Sequence, residues 1–149
     1  MDTGSRSREV AASEAADGVP WMRAALVWML IMLAETCQGA LREIFVAPAI
    51  GSLRARQWGV LTGALIVLVI TFALSRWMRV PAPRAQWIVG GFWVALTVIF
   101  EVLVGRATHA SWQRILSDYD PAQSGLLLLG LAVMFAAPWL VARWLKYRP

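Results

Sequence analysis

The chain has very little of what metal and disulfide sites require. It contains one cysteine, Cys37, and one histidine, His109, in 149 residues. A disulfide framework, a Cys/His zinc site and a haem attachment motif each need several such ligands or paired thiols, so the composition excludes all three. No serine can be tied to the lone histidine as a nucleophile and base pair. We therefore expect no cofactor, no metal and no enzymatic activity.

Charge is also scarce, and apolar residues take its place. Only 15% of the residues are charged, 59% are hydrophobic, and the mean hydropathy is +0.60. Water-soluble domains of this length are much less apolar. A bilayer core of ~30 Å takes about 20 helical residues, which leaves room for about four spans, short loops and one tail. The sequence predicts an all-α, four-transmembrane-helix bundle.

The chain divides into a polar tail and a membrane domain. Residues 1–19 are rich in Ser, Ala, Gly and mixed charge, which predicts a disordered cytoplasmic tail. Residues 20–149 form the membrane domain, whose spans are bounded by Pro, Gly and interfacial Trp. The predicted spans are about 21–45, 57–77, 87–105 and 121–141. Asp120-Pro121 is expected to cap the last span, and Pro138 to bend its final turns.

The segment between the third and fourth spans is too polar to cross a membrane. Its large apolar residues follow the spacing i, i+3, i+4, i+7, which is typical of one face of a helix. They are Trp112, Ile115, Leu116 and Tyr119. We expect a short helix here that lies in the membrane interface.

The basic residues predict the orientation. One face of the membrane, with the tail, the second loop and the C-terminus, holds Arg6, Arg8, Arg23, Arg76, Arg79, Arg84, Arg143, Lys146 and Arg148. The other face holds Arg42, Arg54, Arg56, Arg106 and Arg114. This bias favours both termini in the cytoplasm. The net charge of +5 is thus a topology signal, and the expected partners are the lipid bilayer and a second copy or another membrane protein, with no nucleic acid.

A weak internal repeat runs through the chain. An offset of 66 residues superposes Trp21 on Trp87 and Glu35 on Glu101. The chain is then a tandem duplication of a helical hairpin, with a pseudo-two-fold axis along the membrane normal. The alternative is that Gly and Trp recur by chance in an apolar protein.

Ionisable residues inside the predicted spans are the strongest functional signal. Glu35 and Glu101 each lie 14 residues after an interfacial Trp, which places both ~21 Å into the membrane. A carboxylate at that depth costs ~3 kcal/mol, so it should face the bundle, pair with a cation or hold a proton. The spacing i, i+3, i+4, i+7 puts a one-sided stripe on the first span, and it consists of Glu35, Gln38, Gly39 and Arg42. The candidate polar intramembrane cluster is Glu35, Gln38, Arg42, Glu101 and Arg106.

Two interpretations of this cluster stay open. It forms a polar pocket that binds a small anion or relays protons, or it is an interhelical network that fixes the register of the helices. Small residues mark where helices can approach closely. The candidate packing positions are Gly39, Gly59, Gly63 and Gly105.

Several motifs carry a family resemblance. They are Glu35-x-x-x-Gly39-x-x-Arg42, Pro48-x-x-Gly51, Arg54-Ala-Arg56-Gln57-x-Gly59-Val60-x-x-Gly63, Phe100-Glu101 and Asp118-Tyr119-Asp120. With them, the chain resembles a group of small uncharacterised bacterial four-helix integral membrane proteins. The resemblance implies a bacterial cytoplasmic (inner) membrane location and transfers no catalytic residue.

A second, local likeness concerns the first span. Leu33-Ala34-Glu35 is similar to the first helix of small multidrug-resistance transporters, whose Glu exchanges protons for cationic drugs. Arg42 on the same stripe disfavours a cationic substrate. The sequence predicts a non-enzymatic accessory or structural membrane component, and the alternative is a small proton-coupled or anion-binding transporter that uses the Glu/Arg cluster.

Overall fold

The computed structural model describes residues 18–80, 82–109, 111–117 and 127–146. Throughout these ranges the secondary structure is helix and turn without a β-strand, which confirms the all-α class. Almost all of the predicted tail, and the whole Asp120-Pro121 cap, lie outside the described residues.

Within the described residues, the fold consists of four long helices and two short ones. The helices are α1 (Trp21–Leu41), α2 (Ala47–Ile50), α3 (Ser52–Met78), α4 (Pro83–Ala107), α5 (Trp112–Ser117) and α6 (Leu127–Lys146). A π-helical turn, Arg42–Val46, joins α1 to α2. In the part of the chain that the structure describes, four stretches are long and apolar enough to cross a membrane: Trp21–Ile50, Ser52–Met78, Pro83–Ala107 and Leu127–Leu145. By this criterion the chain is a multi-pass integral membrane protein.

The first span is longer than the sequence predicts. We expected the span to end near residue 45, with Pro48 and Gly51 breaking the helix, but the helical path continues past Pro48 to Ile50. In the π turn the backbone N–H of Ala47 donates to Arg42 O, and Pro48 then occupies an early position of α2. A proline is tolerated there because a backbone N–H at an early helical position has no helical hydrogen-bond partner, so its absence costs nothing. The break comes at Gly51, whose φ of 86° suits glycine.

The other spans also have shifted bounds. The third helix, α3, begins at Ser52 directly after Gly51, five residues before the predicted start. Pro83 opens α4 because its fixed φ suits a first helical turn. The last helix, α6, continues to Lys146, beyond the predicted end near 141, with Pro138 inside it.

Side-chain contacts define the directions of the helices. In the antiparallel pair of α1 and α3, Arg23 donates to Trp77 O at one end (3.0 Å), and Gln38 donates to Thr62 Oγ1 at the other (2.6 Å). The last helix packs against both α3 and α4. We call the end of the bundle where α1 begins the Arg23 end, and the opposite end the Arg42 end.

The exposed and buried surfaces of the helices have the composition expected of a membrane bundle. Each long helix exposes large aliphatic side chains, among them Leu33, Leu61, Leu103 and Leu129. The buried set includes the polar residues Thr71, Gln86 and Thr97. An exterior at least as apolar as the interior is expected in lipid, where the contact between helices rests on packing and on hydrogen bonds.

The structure bears on the repeat without establishing it. Helices α1 and α4 run parallel, and the hydrogen bond from Trp93 to Ala24 O joins residues 69 apart. The sequence repeat has an offset of 66, so Glu35 and Glu101 differ in depth by about three residues, ~4.5 Å. The duplication stays a prediction, and so does an interfacial position for α5, although Trp112 and Leu116 are exposed.

Candidate functional site

A cavity of about 380 Å³ lies between α1, α3, α4 and α6, in the half of the bundle nearer the Arg42 end. Four of the five residues in the predicted polar cluster line it: Glu35, Gln38, Arg42 and Glu101. The cavity therefore gathers side chains from the first and third spans into one polar space.

The cavity ends at a floor built around Thr97. The indole Nε1 of Trp28 donates to Thr97 Oγ1 at 3.0 Å. The same hydroxyl lies 3.2 Å from Sδ of Met134 and 3.6 Å from Sδ of Met32. Beyond it, Trp93 and Ile31 are fully buried. The cavity is therefore closed toward the Arg23 end.

Two glycines of α3 receive the charged side chains of the first span. A Cβ added at Gly63 would lie 2.8 Å from Oε2 of Glu35, and one added at Gly59 would lie 2.9 Å from Cδ of Arg42. The sequence predicted these glycines as sites of close backbone approach. In the structure they leave room for a carboxylate and a guanidinium to lie against the helix.

Part of each charged group is left without a partner. Among the residues that the structure describes, Oε1 of Glu35 and Nε of Arg42 are buried and have no hydrogen-bond partner. An unsatisfied buried polar atom is costly, and more so when it belongs to a charged group. Both atoms are covered by protein in this arrangement, so a molecule in the cavity pairs with them when the two side chains turn away from the glycines.

Gln38 has a different role. Its amide donates to Thr62 Oγ1, and that hydroxyl lies within hydrogen-bond distance of the Trp58 and Gly59 carbonyl oxygens. This contact ties α1 to the turn of α3 that holds the Arg42 side chain. Gln38 thus positions the wall on which the charged groups lie.

The remaining predicted positions either lie outside the cavity or make no close contact with another helix. The guanidinium of Arg106 lies over the Trp112 ring at 5.1 Å. Among the described residues that line the cavity, Arg106 is absent. A Cβ at Gly39 would meet nothing within 4 Å, so Gly39 lines the cavity without a close helix contact. Gly105 is half-buried near the end of α4.

Sequence reasoning missed Arg56. Its side chain lines the cavity, although the sequence used it only as a topology signal. The available signal was its position three residues before Gly59, on the same face of α3. With Arg56 the lining holds two carboxylates and two guanidiniums, so the charges balance.

Gly90 was another residue whose partner the sequence did not reveal. A Cβ there would overlap the backbone carbonyl of Phe135, so α4 and α6 meet backbone to backbone. The adjacent ring of Trp87 stacks on Trp139 at 5.4 Å. This close contact fixes α6 against α4 below the cavity.

Comparison of the chain with models of protein families, with curated proteins and with solved structures finds no match. Within the described ranges, no three His, Cys, Asp or Glu side chains come together to hold a metal ion. The chemistry available in the cavity is hydrogen bonding and charge pairing by Glu35, Arg42, Arg56 and Glu101.

Proposed function

We propose that this chain is a small, non-enzymatic transport protein of the bacterial cytoplasmic membrane that binds a polar solute in the Arg42-end cavity. The observation that carries the proposal is the pair of buried, unpartnered atoms, Glu35 Oε1 and Arg42 Nε, which belong to side chains lining one cavity. The proposal includes both termini in the cytoplasm, which makes the Arg42 end the external one.

Energetics favour a ligand over a purely structural pair. A network that only fixes helix register satisfies its own hydrogen bonds, because an unmet polar atom in the membrane is expensive. Here the carboxylate and the guanidinium each lie against glycine and leave an atom unmet. A cavity of about 380 Å³ is within the size range of small-molecule sites.

The closed floor supports binding from one side. Thr97, Met32 and Met134 separate the cavity from the fully packed Arg23 end. Solute that enters from the Arg42 end stops at this floor, and passage then requires a second arrangement of the helices. Pro138, inside α6, is a position where a helix bends without losing a further hydrogen bond.

Solute-dependent thermal stability in detergent tests the proposal. Wild type is compared with Arg42→Gln and with the control Arg54→Gln, since Arg54 is exposed and on the same basic stretch of α3 as Arg56. We expect polar solutes from a panel of anions, cations and zwitterions to raise the melting temperature of wild type and control only. A panel in which no solute affects any of the three proteins contradicts the proposal.

A second candidate is the accessory or structural role predicted from the sequence. The fit of Glu35 against Gly63, together with the Gln38–Thr62 bond, favours it because both fix α1 on α3. Such a component would act through another membrane protein or a second copy of the chain. In this case Arg42→Gln should destabilise the fold by ~3 to 5 kcal/mol, and replacing Glu35 and Arg42 together by leucine should restore much of that loss.

The two candidates separate on the response of wild type to solute, because the double variant is expected to fold under both. A structural cluster predicts recovered stability with no solute effect in wild type. A binding cluster predicts that the double variant folds, while wild type alone shows solute-dependent stabilisation.

Reporter fusions test the proposed orientation. Reporters after Lys146 and within residues 79–84 should score as cytoplasmic, because most of the basic residues are on that side. A reporter between 117 and 120 should score as external. An external score in the 79–84 loop reverses the orientation and with it the side on which solute enters.

A further inference from the structure

We propose that the solute of the Arg42-end cavity is a small zwitterion, a molecule with one cationic and one anionic group a few ångströms apart. The inference rests on the proposed function and names the class of its substrate. Amino acids and trimethylammonium carboxylates such as glycine betaine belong to this class.

The spacing of the two unpartnered groups is the first argument. Glu35 lies against Gly63 and Arg42 lies against Gly59. These glycines are one turn apart on α3, which separates the two charged groups by ~6 Å along the helix axis. A zwitterion that lies along the two charged side chains, with its cation beside Glu35 and its anion beside Arg42, places each of its charges beside an opposite one.

The charge balance of the lining is the second argument. A simple anion that reached Arg42 would also approach the carboxylates of Glu35 and Glu101, and a simple cation that reached Glu35 would approach Arg42 and Arg56. In a poorly screened site like-charge approach is unfavourable. A zwitterion meets attraction at both ends and brings no net charge into the membrane.

The unmet atoms supply the third argument. Oε1 of Glu35 accepts hydrogen bonds or contacts a methylated ammonium, whereas Nε of Arg42 donates. The two needs are opposite in sign, so one ion of either sign leaves the other atom unsatisfied. One molecule with both groups satisfies both.

The experiment compares matched probes on the purified full-length protein in detergent. Glycine betaine is the zwitterion, tetramethylammonium chloride carries its cationic part, and sodium acetate carries its anionic part. Affinity is measured by isothermal titration calorimetry at constant ionic strength. We expect betaine to bind wild type and the Arg54→Gln control, and both single ions to bind about tenfold or more weakly. Tetramethylammonium lacks the charge-assisted hydrogen bond to Arg42, and acetate lacks the contact of opposite charges with Glu35.

Charge-neutralising variants sharpen the test because they predict a change of preference. Glu35→Gln removes the carboxylate that repels an anion, so betaine should weaken and acetate should strengthen. Arg42→Gln should weaken betaine and strengthen tetramethylammonium. Reciprocal shifts of this kind are not expected from a general loss of stability.

A glycine pair covers the case in which these variants do not fold. Gly63→Ala pushes the Glu35 carboxylate aside while keeping every charge. Gly91→Ala makes the same change outside the cavity lining, where the new Cβ meets the Phe135 ring at an ordinary 3.7 Å. We expect Gly63→Ala to weaken betaine several-fold and Gly91→Ala to leave its affinity within about twofold.

The outcomes distinguish the inference from the proposed function. If acetate or tetramethylammonium binds wild type as tightly as betaine, or if another polar solute binds and no zwitterion does, the zwitterion inference is wrong while a solute-binding function stands. If no probe and no solute of the panel binds, both are wrong.

Discussion

The two halves of the bundle use glycine in opposite ways. Toward the Arg23 end, Gly90 of α4 lies against the backbone of Phe135, and no side chain fits between the helices. Toward the Arg42 end, Gly59 and Gly63 of α3 lie against the side chains of Arg42 and Glu35. A glycine in a membrane helix thus marks a close approach without saying whether backbone or a charged side chain approaches. The first use produces a dry core, and the second produces a polar cavity.

The largest expected effect is at the backbone contact. Gly90→Ala places a methyl group against the Phe135 carbonyl, and two packed helices must move apart to admit it. We expect a loss of about 3 kcal/mol in unfolding free energy, measured by reversible denaturation in mixed micelles. The control is Gly91→Ala, whose Cβ would lie an ordinary 3.7 Å from the Phe135 ring. Equal losses for the two alanines would show that α4 and α6 are not packed this closely.

A smaller effect is expected at the buried indole. Trp93 is fully buried and its Nε1 donates to Ala24 O at 2.8 Å. Trp93→Phe removes this bond and part of the ring, which should cost ~1 to 2 kcal/mol in the same assay. Trp58→Phe is the control because Trp58 is 60% exposed. A neutral Trp93→Phe would contradict the close packing at the Arg23 end.

Gly63→Ala should cost less than Gly90→Ala, and this difference tests the comparison directly. The atom that a new Cβ meets is the end of the Glu35 side chain, which is able to rotate. We expect less than about 1 kcal/mol, a value typical of a side-chain readjustment. A loss as large as that of Gly90→Ala would mean that Glu35 is held rigidly and would favour the structural interpretation of the cluster.

The smallest effect is expected at the Gln38–Thr62 contact. Thr62→Val keeps the shape of the side chain and removes the acceptor of a 2.6 Å hydrogen bond. Interhelical hydrogen bonds in membrane proteins are worth ~0.6 kcal/mol on average, and we expect a loss of that order. Thr108→Val serves as the control, since the Thr108 hydroxyl contacts carbonyls of its own helix. A loss above ~2 kcal/mol would indicate that this contact determines the register of α1 against α3.

Much of the fold was predictable because hydropathy and helix length are local properties. The four spans follow from long apolar runs, and the stripe of Glu35, Gln38 and Arg42 follows from helical spacing alone. The end of the first span was not predictable from Pro48, because a proline stops a helix in one place and opens a helix in another. Only the π turn before it decides between the two.

The partners of the charged residues were less predictable than their positions. The placement of Arg106 over Trp112 depends on where the segment after α4 turns. To predict Arg56 as a lining residue, one must know which face of α3 borders the cavity. Spacing along one helix indicates which residues share a face, whereas the neighbour of that face depends on rotations that only the assembled bundle shows.

The π turn at Arg42–Val46 has a consequence for the shape of the first span. A turn of this kind contains one residue more than an α-helical turn, so the residues after it are rotated by about 100° from a continuous helix. Glu35 and Arg42 therefore share one rotational phase, while Ala47–Ile50 belongs to another. A one-residue insertion or deletion after Arg42 would exchange the side chains that α2 presents to α3. Glu35 and Arg42 precede that change, so the charged wall and the contact of α2 with α3 are able to vary independently.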